Sequence, residues 1–444
     1  MFTSAFGILL AILSIMNKIK QKLQTFAKIR QLHTIISQET IRPSSPTPPH
    51  LKTHNLSFLD QFSPDMHTPF VLFYRNYKTV DTNVLKQSLS QCLTQYYPFA
   101  GRIPTPFLPY INCNDEGVEF LEAFNYSPID DFIHKKEQNE TLDQLFPYGL
   151  SCTLRASCPK LLDVQLNHFA GGGAAVAVSM SHKLADGATF ANFINHWATV
   201  TRCQPPVNPS FTSSSTSNSV RLPKFIIKDL DKVKYATRIF VFPNSKLNEL
   251  KKKVAATGKA PTNPSRVEVL TSLIFKHAVS AAATKSDSLK PSNLSVATNM
   301  RNKFVENYPE TAAGNLFTLA IAKMEEFGEI RLSEVISEVR KAKMGLEGMR
   351  DEQEVVEKLL NTFSTLKGDI YYSSSVCRVP FYEVDFGWGK PQEVLLRIPN
   401  VDENTIILMD TPSGDGITAH VHLPEEEMAI LHKDKEFVSY LQDI

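Results

Sequence analysis

The run Ala174-Ala175-Val176-Ala177-Val178-Ser179-Met180-Ser181, followed by His182-Lys183-Leu184-Ala185-Asp186-Gly187, is the stretch from which the fold can be read. The first part is short, apolar and rich in small or β-branched residues, which is typical of a strand buried on both faces. The triplet Gly171–Gly173 before it predicts a tight turn out of an earlier strand over Leu161–Phe169. Beyond the quoted stretch, apolar residues recur at helical spacing. The sequence therefore predicts a strand hairpin that leads through His182 into a helix.

His182 stands where the buried strand ends, and a strand end is a rigid support for a general base. Apolar surroundings favour the neutral imidazole, which a base needs near pH 7. Gly187 predicts a point where another group can approach the chain closely. A His-x-x-x-Asp spacing also arises by chance, so the residues alone leave open a core histidine that only bonds to backbone.

Asp186 has two interpretations. Its carboxylate can orient the imidazole of His182 directly, as in a catalytic triad. Alternatively, because four residues across a turn need not share a side, it can point away and pair with a buried cation. We name Arg301 as that cation, and such a pair would join the two halves of the chain.

The composition excludes several classes of protein. The chain has 444 residues, 21% of them charged, and a net charge of +1. This balance gives no electrostatic reason to expect a nucleic-acid partner. The six cysteines are scattered without a C-x-x-C pair, so we expect free thiols, and the sequence has no cluster with the spacing of a metal site.

The chain divides into an N-terminal extension, two domains and a linker. Residues 1–35 form the extension, in which the apolar run Phe2–Met16 precedes several lysines. This run is shorter than the about 20 residues of a spanning helix, so we favour a cytoplasmic protein, with membrane association through Phe2–Met16 as the alternative. Residues 17–40 are expected to form a short basic helix or to stay loose. The domains are assigned to residues 36–201 and 224–444, and the Pro- and Ser-rich residues 202–223 to a crossover linker.

Two separated motifs carry a family resemblance. Ser181-His182-Lys183-Leu184-Ala185-Asp186-Gly187 and Asp385-Phe386-Gly387-Trp388-Gly389-Lys390-Pro391 together resemble the signatures of the plant BAHD acyltransferases. Shorter matches support them: Leu-Asp-Gln at 59–61, Tyr-Pro-Phe-Ala-Gly-Arg at 97–102, Asn-x-Arg at 299–301 and Gly-Asn at 314–315. The resemblance implies an α/β, two-domain chloramphenicol-acetyltransferase-like fold, with a channel between the domains that coenzyme A and the acceptor enter from opposite faces.

The resemblance also implies roles for the residues at the first motif. His182 would be the general base, and Asp186 would be turned away from the channel and held by Arg301, with Gly187 supporting the site. Ser374 would help to hold the oxyanion. Many relatives have a tryptophan shortly after this serine, and Val376 stands in its place here, so oxyanion binding is expected to differ in detail.

Two further assignments concern the second motif and coenzyme A. Asp385 would serve mainly to cap a tight turn, and a catalytic part for it is the weaker alternative. Lys259, Ser265 and Arg266 precede or open one predicted helix, over Val269–Ala283, and would contact the coenzyme A phosphates. Ser265 and Glu268 also fit a capping box at the start of that helix.

The implied reaction is acyl transfer from acyl-CoA, the co-substrate, to a hydroxyl of a plant specialised metabolite. An acylsugar or other sugar ester is the preferred acceptor. The alternatives are O-acetylation of an alkaloid or other alcohol, and a non-catalytic protein on the same fold. We expect a monomer with no permanently bound cofactor and no obligate protein partner. A carrier-dependent condensation domain is less consistent with the sequence, because Ser181 replaces the first histidine of that motif.

Overall fold

The structure is a computed structural model. It describes residues 33–77, 81–104, 108–134, 142–147, 158–211, 233–257, 262–286, 290–304, 308–324, 330–398 and 403–442. The apolar run Phe2–Met16 lies outside these ranges. No helix within them has the length and apolar character needed to cross a bilayer. The five cysteines within them are free thiols.

The first half of the chain alternates strands with short helices. In chain order its elements are β1 (His33–Ile41), β2 (Thr53–Asn55), α1 (Phe58–Phe62), β3 (His67–Tyr74), α2 (Thr82–Gln95), β4 (Tyr110–Asn112), β5 (Val118–Asn125), α3 (Ile129–His134), β6 (Leu162–Phe169), β7 (Ala174–Ser181), α4 (Gly187–Thr201) and β8 (Ser210–Phe211).

The second half contains the longer helices. Its elements are β9 (Tyr235–Pro243), α5 (Asn244–Ala255), α6 (Arg266–Ser286), β10 (Ser292–Asn299), β11 (Ala312–Ala313), β12 (Phe317–Met324), α7 (Leu332–Met344), α8 (Glu352–Thr365), β13 (Asp369–Ser375), β14 (Glu393–Leu396), β15 (Asn404–Asp410), β16 (Gly416–Pro424), α9 (Glu425–Leu431) and α10 (Lys435–Val438).

Two six-stranded mixed sheets organise these elements. The first has the order β1-β5-β6-β7-β3-β14 and the second β12-β10-β13-β15-β16-β9, and two small sheets pair β2 with β4 and β8 with β11. Separate apolar cores lie against the two large sheets. The α/β fold class predicted from the sequence is confirmed.

Strand β7 is central in the first sheet, and all eight of its residues are buried. It pairs with β6 along one edge and β3 along the other. Alternate side chains enter two different apolar clusters, so neither face meets water, as its continuous apolar sequence predicts. The β6–β7 hairpin is confirmed, and its three glycines have φ of 83°, 102° and 88°, a conformation that other residues rarely adopt. The helix predicted after Gly187 is α4.

The structure corrects the sequence prediction at residues 33–41. Residues 33–41 form edge strand β1 rather than a helix or loose chain, because β5 offers them backbone partners. Strand β14 pairs with β3, so the second half of the chain supplies a strand to the first sheet. The domain bounds on either side of residues 202–223 stay a prediction.

Candidate active site

His182 follows β7 directly, in the turn that leads to α4. Its backbone N–H donates to Met66 O (2.7 Å), just before β3 begins. Its ring lies 5.5 Å from the ring of Phe317, the first residue of β12 in the second sheet. The imidazole therefore lies where the two halves of the chain meet, and it remains partly exposed.

Asn315 determines which ring nitrogen of His182 carries the proton. Its Oδ1 lies 3.1 Å from Nδ1 of His182, and its Nδ2 donates to the His182 carbonyl (2.7 Å) and to Asp60 Oδ1 (2.9 Å). Because both partners of Nδ2 are acceptors, the amide atom that faces Nδ1 is the oxygen. Nδ1 is therefore the protonated nitrogen, and Nε2 keeps a lone pair.

The electrostatic surroundings favour a neutral imidazole. Burial is the largest influence and lowers the pKa of His182 below its usual value of 6.5, while the charge of Asp186 and the hydrogen bond with Asn315 act in the opposite direction. Lys183, whose Nζ donates to Gln61 O (3.0 Å) and to Ser63 O, also lowers it. A neutral ring with a free Nε2 lone pair can accept a proton at neutral pH.

Asp186 is buried and turned toward the second half of the chain. Its Oδ2 accepts from Arg301 Nη1 (2.7 Å) and Leu316 N (3.1 Å), and its Oδ1 accepts from Arg301 Nη2 (3.1 Å) and Thr189 N (2.9 Å). The last contact caps helix α4. Among the described residues no hydrogen bond joins this carboxylate to the His182 ring. The contact with Arg301 is confirmed, and the geometry favours the bracing interpretation over a triad.

Gly187 and Ser374 occupy neighbouring elements. A Cβ built on Gly187 would lie 3.4 Å from Val376 Cγ1, an ordinary contact, so the described protein atoms do not require glycine there. Ser374 is partly exposed in β13, two residues before Val376, on the strand that ends against the start of α4. Support of the site by Gly187 and oxyanion binding by Ser374 stay predictions.

Asp385 is engaged within its own loop. Its Oδ1 accepts from Gly387 N (2.7 Å) and Gly389 N (2.9 Å), and its backbone carbonyl accepts from Arg202. Arg202 caps the C-terminus of α4, whose 15 residues span about 22 Å at about 1.5 Å per residue. His182 lies beyond the opposite end of that helix. This geometry favours the capping interpretation of Asp385 and opposes a direct catalytic part.

Two of the three residues assigned to coenzyme A, Ser265 and Arg266, are described by the structure and lie at the start of α6. The capping box is confirmed: Ser265 N donates to Glu268 Oε2 (2.7 Å) and Glu268 N donates to Ser265 Oγ (3.1 Å) at the start of α6. The guanidinium of Arg266 bonds to Asn244 and lies 3.5 Å from Asp410, with its side chain 28% exposed. Lys259 lies outside the described residues. Their contact with phosphate stays a prediction.

Sequence reasoning gave no role to Asn315 or Asp60, the residues that hold His182. Both belong to short matches of the resemblance, Gly-Asn at 314–315 and Leu-Asp-Gln at 59–61. Their 255-residue separation hides the contact, which only folding creates. Within the part of the chain that the structure describes, no three His, Cys, Asp or Glu side chains gather into a metal-binding group.

Known proteins resemble this chain along most of its length. A family model described as "Transferase family" matches residues 32–438. Stemmadenine O-acetyltransferase from Catharanthus roseus is 35% identical, covering 92% of this chain and 97% of the relative. Acylsugar acyltransferase 3 from Solanum lycopersicum is 30% identical, covering 93% and 98%.

Solved structures show the same fold. Vinorine synthase superposes with a TM-score of 0.77 at 30% identity, covering 92% of this chain and 98% of that one. F. graminearum TRI101, solved with coenzyme A and T-2 mycotoxin, superposes with a TM-score of 0.70 at 19% identity, covering 88% and 99%. The two motifs, the fold and these relatives agree along nearly the whole chain, which therefore belongs to the plant BAHD family of acyl-CoA-dependent acyltransferases.

Proposed function

We propose that this protein transfers an acyl group from acyl-CoA to a hydroxyl of a plant specialised metabolite, with His182 as the general base. The observation that carries the proposal is the Asn315 contact, because an Nδ1 that donates to Oδ1 leaves the Nε2 lone pair free. The lowered pKa of His182 keeps that lone pair available at neutral pH.

The proposed transfer is direct, from the thioester to the acceptor hydroxyl, and forms no acyl-enzyme intermediate. Nε2 of His182 takes the hydroxyl proton as the acceptor oxygen attacks the thioester carbonyl carbon. The tetrahedral oxyanion then collapses, the C–S bond breaks, and the proton passes from Nε2 to the leaving sulfur. The products are the ester and free coenzyme A. Ser374 is proposed to donate to the oxyanion, and Lys259, Ser265 and Arg266 to contact the phosphates.

For the acceptor we propose an acylsugar or another sugar ester, supported by the relative named acylsugar acyltransferase 3. O-acetylation of an alkaloid or other alcohol is the second candidate, and the somewhat higher identity to stemmadenine O-acetyltransferase favours it. A cytoplasmic location, with both substrates reaching the site through a channel between the two halves, belongs to the same proposal.

The test is release of free thiol from acetyl-CoA and branched short-chain acyl-CoA in the presence of sugar esters and alkaloid alcohols. We expect acceptor-dependent release by the wild type and a loss of roughly 10²–10⁴-fold in His182→Ala, the usual contribution of acid–base catalysis. His50→Ala is the matched control, since His50 is exposed. Turnover by His182→Ala at the wild-type rate would remove His182 as the base, and absence of turnover with every acceptor would favour a non-catalytic protein.

A further inference from the structure

We propose that Asp60 is a positioning residue for this reaction, holding the Asn315 amide in the orientation that keeps the proton on Nδ1 of His182 and the lone pair on Nε2. This inference rests on the proposed role of His182 as the general base. It concerns a carboxylate that does not touch the substrate and acts through Asn315.

Asp60 is fully buried beneath the site, at 0% exposure. Its Oδ1 accepts two hydrogen bonds from Asn315, one from the backbone N–H (2.8 Å) and one from Nδ2 (2.9 Å). Its Oδ2 accepts from Ser57 N (3.1 Å), and its own N–H donates to Ser57 Oγ (3.1 Å). The capping box of α1 thus fixes the carboxylate, and the carboxylate in turn fixes Asn315.

The orientation of the Asn315 amide follows from its two acceptor neighbours. If the amide were flipped, its oxygen would face Asp60 Oδ1 and the His182 carbonyl, and neither of these atoms has a hydrogen to donate. Nδ2 would then point at Nδ1 of His182 and favour the tautomer with its proton on Nε2, which cannot accept one. A hydrogen bond to a carboxylate is roughly twice as strong as one between neutral groups, so Asp60 contributes most to preventing the flip.

A second contact also affects the ring. The contact of the ring with the backbone of His182 itself raises the pKa of the imidazole. Both this contact and the hydrogen bonds from Asp60 through Asn315 affect the protonation of the His182 ring. Only an experiment that removes one of them separates their contributions.

Charged groups lie near both ends of the hydrogen-bond series that runs from Asp60 through Asn315 to His182. Glu352 is the buried first residue of α8, and burial together with the charge of Asp60 raises the pKa of Glu352 to about 7. Burial raises the pKa of Asp60 to about 6 despite its bonds from Asn315 and Ser57. The charge of Asp60 raises the pKa of Lys183, and the charges of Lys183 and Asp186 act on the pKa of His182. A pH–activity profile would report the titrations of all these groups together, so the test must measure the protonation of the two His182 ring nitrogens directly.

The experiment compares Asp60→Asn with the wild-type enzyme, using kcat, KM for acyl-CoA and the ¹⁵N signals of the His182 ring. The His182 ring signals are assigned as those that are missing from the spectrum of His182→Ala. The amide in Asp60→Asn has one acceptor oxygen, so it cannot accept from Asn315 and from Ser57 N together, and its bonds to Asn315 lose the strength that the charge supplies. The orientation of Asn315 is therefore held less firmly. We expect kcat to fall roughly 10- to 100-fold with KM for acyl-CoA unchanged. The ring of Asp60→Asn should populate the Nε2–H tautomer, and the wild-type ring should hold its proton on Nδ1.

Asp65→Asn is the matched control. Asp65 is exposed and its charge also acts on Lys183, so this variant removes a nearby negative charge while leaving the hydrogen bonds of Asn315 intact. It should keep both the wild-type kcat and the wild-type tautomer. In an Asn315→Ala background, Asp60→Asn should cost no further kcat, because the residue through which it acts is gone.

The outcomes separate this inference from the proposed function. A folded Asp60→Asn with wild-type kcat or an unchanged tautomer overturns the role of Asp60. If Asp60→Asn does not fold, a wild-type ring that carries its proton on Nε2 overturns it equally. Full activity in His182→Ala would remove the proposed base and leave the tautomer result standing, whereas loss in His182→Ala without loss in Asp60→Asn removes only the positioning role.

Discussion

The substitution Asp186→Asn tests whether this carboxylate braces the site or takes part in proton transfer. The change keeps the size of the side chain, removes its charge and replaces one of its acceptor oxygens with an N–H donor. Arg301, whose side chain is 1% exposed, would then be a buried cation without an anion. Breaking a buried pair from one side costs about 3–5 kcal/mol. We expect the lower end, since Arg301 keeps its bonds to the Ala312 carbonyl.

The assay is thermal unfolding of Asp186→Asn measured beside kcat. A loss of about 3 kcal/mol lowers the melting temperature by about 6–12 °C, at about 2–4 °C per kcal/mol for domains of this size. We expect kcat to fall moderately, because the contact of Asp186 with Leu316 N adjoins Asn315.

Asp130→Asn is the control for this substitution. It makes the same change in the ion pair of Asp130 with Arg75 (2.7 Å), where the side chains are 53% and 41% exposed. An exposed pair of this kind contributes about 0–1 kcal/mol. An unchanged melting temperature in Asp186→Asn together with abolished turnover would refute the bracing interpretation and favour a direct role in catalysis.

Three further predictions follow from the same contacts. Burial lowers the pKa of His182 below 6.5, so protonation removes the base only at acidic pH. We therefore expect kcat/KM to stay constant down to about pH 6.5 and to fall at lower pH. A half-maximal pH above 6.5 would contradict this. Burial raises the pKa of Asp163 to about 7, and its Oδ1 has no hydrogen-bond partner among the described residues, so its charge lowers stability as pH rises through 7. Asp163→Asn should therefore raise the urea midpoint much more at pH 8 than at pH 4, and an equal shift at both would exclude titration as the cause. Arg266→Gln should raise KM for acyl-CoA but not for its 3′-dephospho analogue, and equal effects on both would separate Arg266 from that phosphate.

The sequence alone determined much of the fold near the site. The apolar run Ala174–Ser181 could be read as a doubly buried strand, because a strand without a solvent face shows no alternation. The triplet Gly171–Gly173 located the turn, and the helical period after Gly187 located α4. The reading failed where partners outside the segment decide the structure. Strand β1 exists because β5 pairs with it. Folding also buries the polar residues Asp163, Gln165 and Asn167 of β6.

The residues of the candidate site likewise fall into those that the sequence indicated and those that only the structure shows. A histidine at a strand end, and an aspartate able to meet Arg301, were within reach of the sequence because local pattern and charge point to them. Asn315 and Asp60 were not, since a hydrogen bond between residues 255 positions apart leaves no periodic signal in the chain. The sequence by itself identified His182 as the candidate base. The tertiary structure decided which of its nitrogens is free, because acceptors from three separate segments must converge before the tautomer is defined.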